Sequence, residues 1–260
     1  MGYITITMNR LFKKIGLSFI AVLLLTVGQT ETVNAATLYA QPLSAIGAED
    51  VFVVDVLLDT EGETINTIDG LVKLSSTVPG IEVRDISTAG SVISMWPRSP
   101  SLSEKGDTIT FTGGVPGGIS GKDLQVFKIV ISVSKASELQ IVSDNIKVYL
   151  NDGKGTSVSA KTRFSPINIG VKKAVPVDVW KDAIANDNIS PEPFTIKILQ
   201  DENLYGGSKF ISFSTTDKQS GISHYEVKEG MMDAVRTGET YVLIDQTGKS
   251  DIIVTAFDNA

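Results

Sequence analysis

Short apolar runs broken by turn-forming residues dominate the chain from residue 36 to about residue 169. In the run "FKIVISV", Phe127, Ile129, Ile131 and Val133 fall on one face of an extended strand. Such period-two patterning, with Gly, Pro, Asp or Ser at intervals of about ten residues, is typical of an antiparallel β-sandwich. No part of this region has the pattern of a long amphipathic helix. We therefore predict an all-β fold.

The apolar runs also predict where the strands lie. A region of roughly 135 residues is large enough to bury a core of its own. The predicted strands are Val51–Leu58, Thr67–Ser75, Ile81–Ile86, Thr108–Thr112, Leu124–Val133, Asn145–Leu150 and Ser157–Phe164.

The pattern changes after residue 170, which predicts a second domain. Prolines and the polar stretch "ANDNIS" indicate a linker over residues 171–193. Residues 194–260 then hold five strand candidates, "FTIKILQ", "SKFISFSTT", "ISHYEVKEG", "TYVLIDQ" and "SDIIVTAFD", which predict a second, smaller sandwich. Because the last strand ends "FDNA" without a closing turn, we expect a C-terminal truncation. Anchoring to a membrane or cell wall through the missing C-terminus stays open.

The first 35 residues have the pattern of a secretory signal peptide. A basic start, "MNRLFKK", precedes the apolar stretch "IGLSFIAVLLLTVG", and "VNA" offers small residues for cleavage after Ala35. The apolar stretch is shorter than the ~20 residues that span a bilayer. We therefore predict a secreted or cell-surface protein, with an uncleaved N-terminal anchor as the alternative.

Composition excludes several classes of function. The formal net charge is −7, and removing the leader makes it two units more negative, which argues against nucleic acid or anionic lipid as a partner. The chain has no cysteine, so it has no disulfide, thiol nucleophile or Cys-based metal site. It has one histidine, His224, which the sequence places as an exposed strand residue. No G-x-S-x-G motif accompanies it, so we predict no catalysis.

The glycine-rich segment "FTGGVPGGISGKD" contains a Gly-Lys pair but not a phosphate-binding loop. Pro116 stands where that motif needs its first glycine, and Asp123 follows Lys122 in place of Ser or Thr. We predict instead a loop between the strands Thr108–Thr112 and Leu124–Val133. Replacement of Gly114 or Gly118 by valine is then expected to lower stability.

Four segments in order resemble cohesin domains, which are related to cellulose-binding modules. They are "VFVVDVLLDTEGETINTIDGLVKLS", "SVISMWPRSP", "TITFTGGVPGGISGKDLQVFKIVISV" and "IKVYLNDGKGTSVSAK". The resemblance covers most of residues 38–169. It implies a jelly-roll β-sandwich over residues 36–170 that uses one sheet face to bind a dockerin, a small calcium-binding helical module on another chain. It implies no cofactor for this chain itself.

The second region resembles Ig-like or fibronectin-like repeats of bacterial surface proteins. The resemblance rests on "TTDKQSGISHYEVKEG", "YVLIDQ" and "IIVTAFDNA". It implies that residues 194–260 form an Ig-like sandwich that acts as a spacer.

The cohesin resemblance suggests a set of residues for the binding face. Asp69 and Lys73 lie on the predicted strand Thr67–Ser75, Asn66 directly precedes it, and Ile119 lies in the glycine-rich segment. The alternative for each is an ordinary position on a solvated strand.

Trp96 is the candidate for contact with a polysaccharide, because sugar rings stack on flat aromatic side chains. It lies in "SMWPRSP", which the prolines indicate as an exposed loop. A cellulose-binding platform usually has several coplanar rings, and this region offers few. The alternative is that Trp96 packs structurally.

Two polar stretches, "YLNDGKGTS" and "NDNIS", raise the question of calcium. Val148 and Leu150 stand where an EF-hand loop needs oxygen ligands, and Ser159 stands in place of its final glutamate. "NDGKG" is therefore predicted to be a turn between strands. A calcium site assembled from distant loops stays open.

The sequence as a whole predicts an exported, non-enzymatic binding or scaffold protein without a cofactor. Three functions compete: a scaffold that binds a dockerin-like partner, a carbohydrate-binding surface module, and a stalk without a ligand of its own.

Overall fold

A computed structural model describes residues 36–42, 46–76 and 79–260, which belong to one compact unit. The predicted signal peptide, residues 1–35, lies outside the described residues. Within them, no helix is long and apolar enough to cross a membrane. Its regular secondary structure is almost entirely β-strand, with one short α-helix among the described residues.

Residues 37–170 form the first module, whose strands are mostly antiparallel. In chain order they are β1 (Thr37–Pro42), β2 (Ile46–Gly47), β3 (Val51–Asp59), β4 (Ile65–Ser76), β5 (Ile81–Ser87), β6 (Met95–Leu102), β7 (Thr108–Ile119), β8 (Leu124–Val133), β9 (Ser137–Leu150), β10 (Ser157–Ser159), β11 (Lys161–Arg163) and β12 (Ile167–Gly170). A five-stranded sheet has the order β11-β1-β3-β8-β5. A seven-stranded sheet has the order β2-β12-β9-β4-β7-β6, with β10 beside β9.

The core of the first module lies between these two sheets. Phe127, Ile129 and Ile131 of β8 face it, as the alternation predicts, and all are fully buried. Phe111 of β7 meets Phe127 edge to face, with ring centroids 5.0 Å apart. Each such side chain contributes about 1.5–3 kcal/mol through burial. The predicted all-β jelly-roll sandwich is confirmed.

Strand β3 is buried on both faces, which explains its imperfect alternation. Its outer face carries Val53, which packs with Val130 of β8 and with Trp180. Trp180 lies on the helix α1 (Val179–Ala185), and its indole Nε1 donates to Asp85 Oδ2 at 3.1 Å. Part of the predicted linker is thus a helix that covers the outer face of the five-stranded sheet.

The start of α1 is defined by an N-cap. The side chain of Asp178 accepts a hydrogen bond from the backbone N–H of Lys181 at 2.9 Å, which satisfies a donor that the first turn leaves unpaired.

Residues 197–258 form the second module, which has two three-stranded sheets. Its strands are β13 (Lys197–Gln200), β14 (Lys209–Ser212), β15 (Ile222–Glu229), β16 (Val235–Thr237), β17 (Thr240–Val242) and β18 (Ile252–Asp258). The sheet orders are β13-β14-β17 and β16-β15-β18. Ile211, Phe213, Tyr225, Val227 and Leu243 make the shared core. The five predicted strands are present and β16 is additional, whereas the Ig-like resemblance stays a prediction.

The glycine-rich segment is not the loop that the sequence predicts. Strand β7 continues through it to Ile119, and Gly113 and Gly114 pair with Ile68 and Thr67 of β4. A bulge follows, because Ile119 is the next residue to pair, with Ile65. The turn to β8 is confined to residues 120–123.

The segment around Trp96 is likewise a strand rather than a loop. Strand β6 forms an edge of the seven-stranded sheet and pairs with β7 at intervals, with shifts around Arg98. Pro97 and Pro100 are tolerated there because an edge strand needs to donate on one side only.

Candidate functional site

The outer face of the seven-stranded sheet is the open face of the first module. On β4, Ile68 and Val72 point into the core, and Asp69, Leu71 and Lys73 alternate with them and point outward. Helix α1 covers the outer face of the opposite sheet, so the two faces of the module differ.

Strand register determines the neighbours of Asp69 and Lys73. Asp69 lies opposite Thr112 of β7, whose Oγ1 donates to Asp69 Oδ1 at 2.6 Å, and opposite Lys147 of β9. Lys73 lies opposite Thr108 and Val142. The predicted Asp69 and Lys73 therefore share one face, flanked by short hydroxyl side chains.

Two apolar side chains interrupt this polar surface. Val142 of β9 is 44% exposed and pairs with Lys73 of β4. Leu71 lies two residues before Lys73 on the same strand and is half-buried. Polar and charged side chains surround the pair. A small apolar centre with a polar rim is the usual anatomy of a protein-binding surface. Sequence inspection missed Leu71 and Val142, although their alternation with buried neighbours was a usable signal.

Asn66 and Ile119 do not join this group in the same way. Asn66 lies at a register shift of β4, between Ile65 and Thr67, and is half-buried. Ile119 pairs with Ile65 and lines a small apolar void inside the sandwich with Leu58 and others. Because it pairs with the buried Ile65, the half-buried Ile119 lies on the inner side of the sheet, and the structure does not bring it together with Asp69 and Lys73.

Trp96 does not form an exposed platform. Its side chain is only 8% exposed and belongs to the core of the first module, where the indole packs over Gly113. Its backbone N–H donates to Glu239 Oε2 at 3.1 Å. The expected exposed proline-rich loop is an edge strand, so the ring lacks the free face that stacking on a sugar needs.

A cleft of about 810 Å³ lies beside Trp96, between β6 and the second module. His224 and Glu239 are among its lining residues. His224 is half-buried rather than exposed, stacks on Phe257 at a centroid distance of 4.7 Å, and lies 3.9 Å from Glu226. Ring stacking and a neighbour on the same strand account for these contacts without any catalytic arrangement.

The turn "NDGKG" is confirmed as a connection between β9 and β10. Asp152 accepts hydrogen bonds from Lys154 N, at 2.8 Å, and from the hydroxyl of Thr156, both within the turn. These bonds hold the pKa of Asp152 below its usual value, the Thr156 hydroxyl being the largest cause. A different group of carboxylates, Asp187, Asp217 and Asp258, has the proximity that a metal site needs.

Comparisons with known proteins give matches among solved structures only. The sequence matches no protein-family model and no curated protein. Solved structures do match it. Several of the solved structures that resemble this chain are cohesin modules.

Three of these cohesin modules give the extent of the likeness. A non-cellulosomal cohesin from the archaeon Archaeoglobus fulgidus is 19% identical, with 54% of this chain and 93% of that chain covered and a TM-score of 0.42. The third ScaB cohesin of R. flavefaciens, solved in complex with a group 1 dockerin, is 14% identical, with 54% and 99% covered and a TM-score of 0.40. A cohesin module of a family 33 glycoside hydrolase from Clostridium perfringens is 10% identical, with 53% and 98% covered and a TM-score of 0.40.

Proposed function

We propose that the chain is an exported scaffold protein whose first module binds a dockerin-type protein partner on the outer face of the seven-stranded sheet. The observation that carries the proposal is the apolar pair Leu71 and Val142, set among Asp69, Lys73 and the threonines of β7 on a face that α1 leaves open. The resemblance of the sequence to cohesins supports the class of partner. In this proposal the chain is not an enzyme and needs no small-molecule cofactor.

The second module is proposed as a spacer. It holds its own core, and its hydrogen bonds to the first module involve the connection between β5 and β6 and Trp96 of the edge strand β6, rather than β4 or β9. The leader pattern supports export, and a chain without cysteine keeps its covalent structure in an oxidising environment. A spacer that leaves the binding face free suits a protein at a cell surface.

A charge at the centre of the open face tests the proposal. Val142→Asp places an unpaired carboxylate in the apolar part of the interface, where desolvation is costly. We expect binding to a panel of immobilised dockerins to weaken at least about tenfold, which corresponds to about 1.4 kcal/mol. Biolayer interferometry on the whole chain measures this effect.

Val171→Asp is the matched control, because Val171 is 80% exposed in the segment after β12. It makes the same substitution away from the open face and is expected to bind like the unmodified chain. Equal affinity of the two variants would contradict the placement of the site. Binding of polysaccharide instead of dockerin would favour the carbohydrate function, and binding of neither would favour the stalk.

A further inference from the structure

Three aspartate carboxylates converge where the second module meets the first. Asp187 follows α1, Asp217 lies between β14 and β15, and Asp258 ends β18. One carboxylate oxygen from each residue lies within 4.8 Å of the other two. The proposed binding face uses none of these residues.

Asp217 is the buried member of the cluster, with 1% of its surface exposed. Its Oδ1 accepts the backbone N–H groups of Gln219, Ser220 and Gly221 at 3.0, 2.8 and 2.8 Å. Its Oδ2 is buried and has no hydrogen-bond partner. A buried carboxylate oxygen without a partner is costly, so this atom is the one available to a cation.

The other two carboxylates are held in place by backbone N–H groups. Asp187 accepts from Ile189 at 2.9 Å and from Ser220 at 3.1 Å, and Asp258 accepts from Ala260 at 3.1 Å. Burial acts to raise the pKa of Asp187, but hydrogen bonds from Ser220 and Ile189 outweigh it and hold the pKa below its usual value. These bonds orient both carboxylates, and those to Asp187 favour its charged form.

Among the described residues, no ion pair compensates this negative charge. In the part of the chain that the structure describes, none of the ion pairs includes Asp187, Asp217 or Asp258. Lys218, the neighbour of Asp217, pairs with Glu192 instead. Carboxylates this close repel one another unless a positive charge lies between them.

We propose that Asp187, Asp217 and Asp258 bind a calcium ion at this junction. The donor set consists of carboxylate oxygens, which hard divalent cations prefer, and calcium accepts irregular sets of six to eight oxygens. The chain has no cysteine, and its only histidine, His224, is not part of the cluster, so nitrogen- and sulfur-seeking metals lack ligands.

The position of the site determines what calcium would do. Each ligand comes from a different segment: the end of the linker, a loop of the second module, and the last strand. Asn259 Nδ2 donates to Ser220 O at 2.9 Å and so joins the end of β18 to the Asp217 loop. That loop also contacts the first module, because Asp217 O accepts from Gly90 N at 2.9 Å. Calcium would therefore stiffen the junction between the modules.

Calorimetric titration of the EDTA-treated chain with calcium chloride tests the site directly. We expect one calcium ion to bind per chain. Thermal unfolding should shift upward by about 5–10 °C when calcium is near a hundredfold above its Kd, by linkage of binding to folding. Magnesium is expected to give a smaller shift, because it demands a tighter octahedral geometry.

Two ligand variants and one control decide the outcome. Asp217→Asn and Asp258→Asn are each expected to lose the calcium-dependent shift. Asp245→Asn is the matched control: Asp245 also accepts several N–H bonds within a turn, from Thr247, Lys249 and Ser250, but lies outside the cluster. It should lower the starting Tm and keep the calcium shift.

Absence of any calcium effect on the unmodified chain would overturn the proposal. A full calcium shift in both ligand variants would also overturn it. Should Asp217→Asn fail to fold, Asp258→Asn gives the answer, because Asp258 is only half-buried at the end of a strand. All these readouts are independent of any dockerin.

Discussion

Glu239 is a half-buried carboxyl group between the β16–β17 turn and β6. Its Oε2 accepts the backbone N–H of Trp96 at 3.1 Å. Burial, opposed in part by that hydrogen bond, raises the pKa of Glu239 to about 7. Near neutral pH the folded protein therefore holds a proton on Glu239 that the unfolded chain has already released.

This proton makes stability depend on pH. Because the folded pKa lies above the ordinary value of 4.5, the folded state is favoured at low pH, and stability falls as pH rises from about 4.5 to about 7. The loss is about 2 kcal/mol after allowance for partial exposure. Glu239→Gln, which keeps the acceptor for Trp96, should remove most of this loss in urea unfolding at pH 5 and pH 8.

The exposed Glu202→Gln is the control for this comparison. It should leave the pH dependence as it is in the unmodified chain. An identical fall in stability in all three proteins would show that Glu239 is not its source.

At the same scale, the sequence predicts the strand face of some candidate residues and not of others. Asp69 and Lys73 lie on the outer face because simple alternation along β4 puts them there. The side chains of Trp96 and Ile119 lie on the inner side of the sheet, and simple alternation does not predict this. The prolines beside Trp96 suggested a loop, and the bulge in β7 resets the face on which Ile119 lies.

The glycine-rich part of β7 shows how pairing overrides propensity in a single element. Glycine is depleted in strands, so the segment looked like a loop. Pairing with β4 nevertheless extends the strand through Gly113 and Gly114, and a bulge accommodates the residues before Ile119. Of the two glycines whose replacement is predicted to lower stability, only Gly118 has a backbone conformation that favours glycine.

Gly118 and Gly114 are expected to respond differently to alanine. Gly118 has a φ of +78°, and a Cβ there would lie 2.7 Å from Thr64 Cγ2. We expect Gly118→Ala to lower the free energy of unfolding by about 1–3 kcal/mol. Gly114→Ala is the control, because its Cβ would meet nothing closer than 3.8 Å. Urea unfolding of both variants measures this, and equal destabilisation would contradict the account.

Helix α1 is a small element with a large energetic role. Trp180 buries its indole on Val53 and Val130 and donates to Asp85. Trp180→Ala is expected to cost about 3–5 kcal/mol, because it removes a large side chain and leaves a cavity over the sheet. Trp180→Phe should cost less but still leave Asp85 without this donor. Chemical denaturation of the two variants should rank them in that order, and a neutral Trp180→Ala would show that α1 does not cover the sheet.

At the scale of the whole molecule, local sequence patterns predicted the β-sandwich architecture. They did not predict the contacts that join its distant segments. Period-two alternation is enough to place most strands of both modules. Contacts between residues far apart in sequence leave no local signal. Two features depend on such contacts: the packing of Trp180 against β3, and the proximity of Asp187, Asp217 and Asp258. The stretch "NDNIS" raised the question of calcium, but its Asp187 forms the proposed site only together with Asp217 and Asp258, which lie in two other segments.

The edges of the first module limit the ways in which two copies of the chain can associate. Exposed strand edges invite other chains to add strands and so start aggregation. Here β6 carries Pro97 and Pro100, which cannot donate to an incoming strand, and β2, β10 and β11 are too short to act as templates. The remaining edge, β5, bears the exposed charges of Glu82 and Arg84. Copies crowded on one surface would therefore stay separate and keep their open faces free.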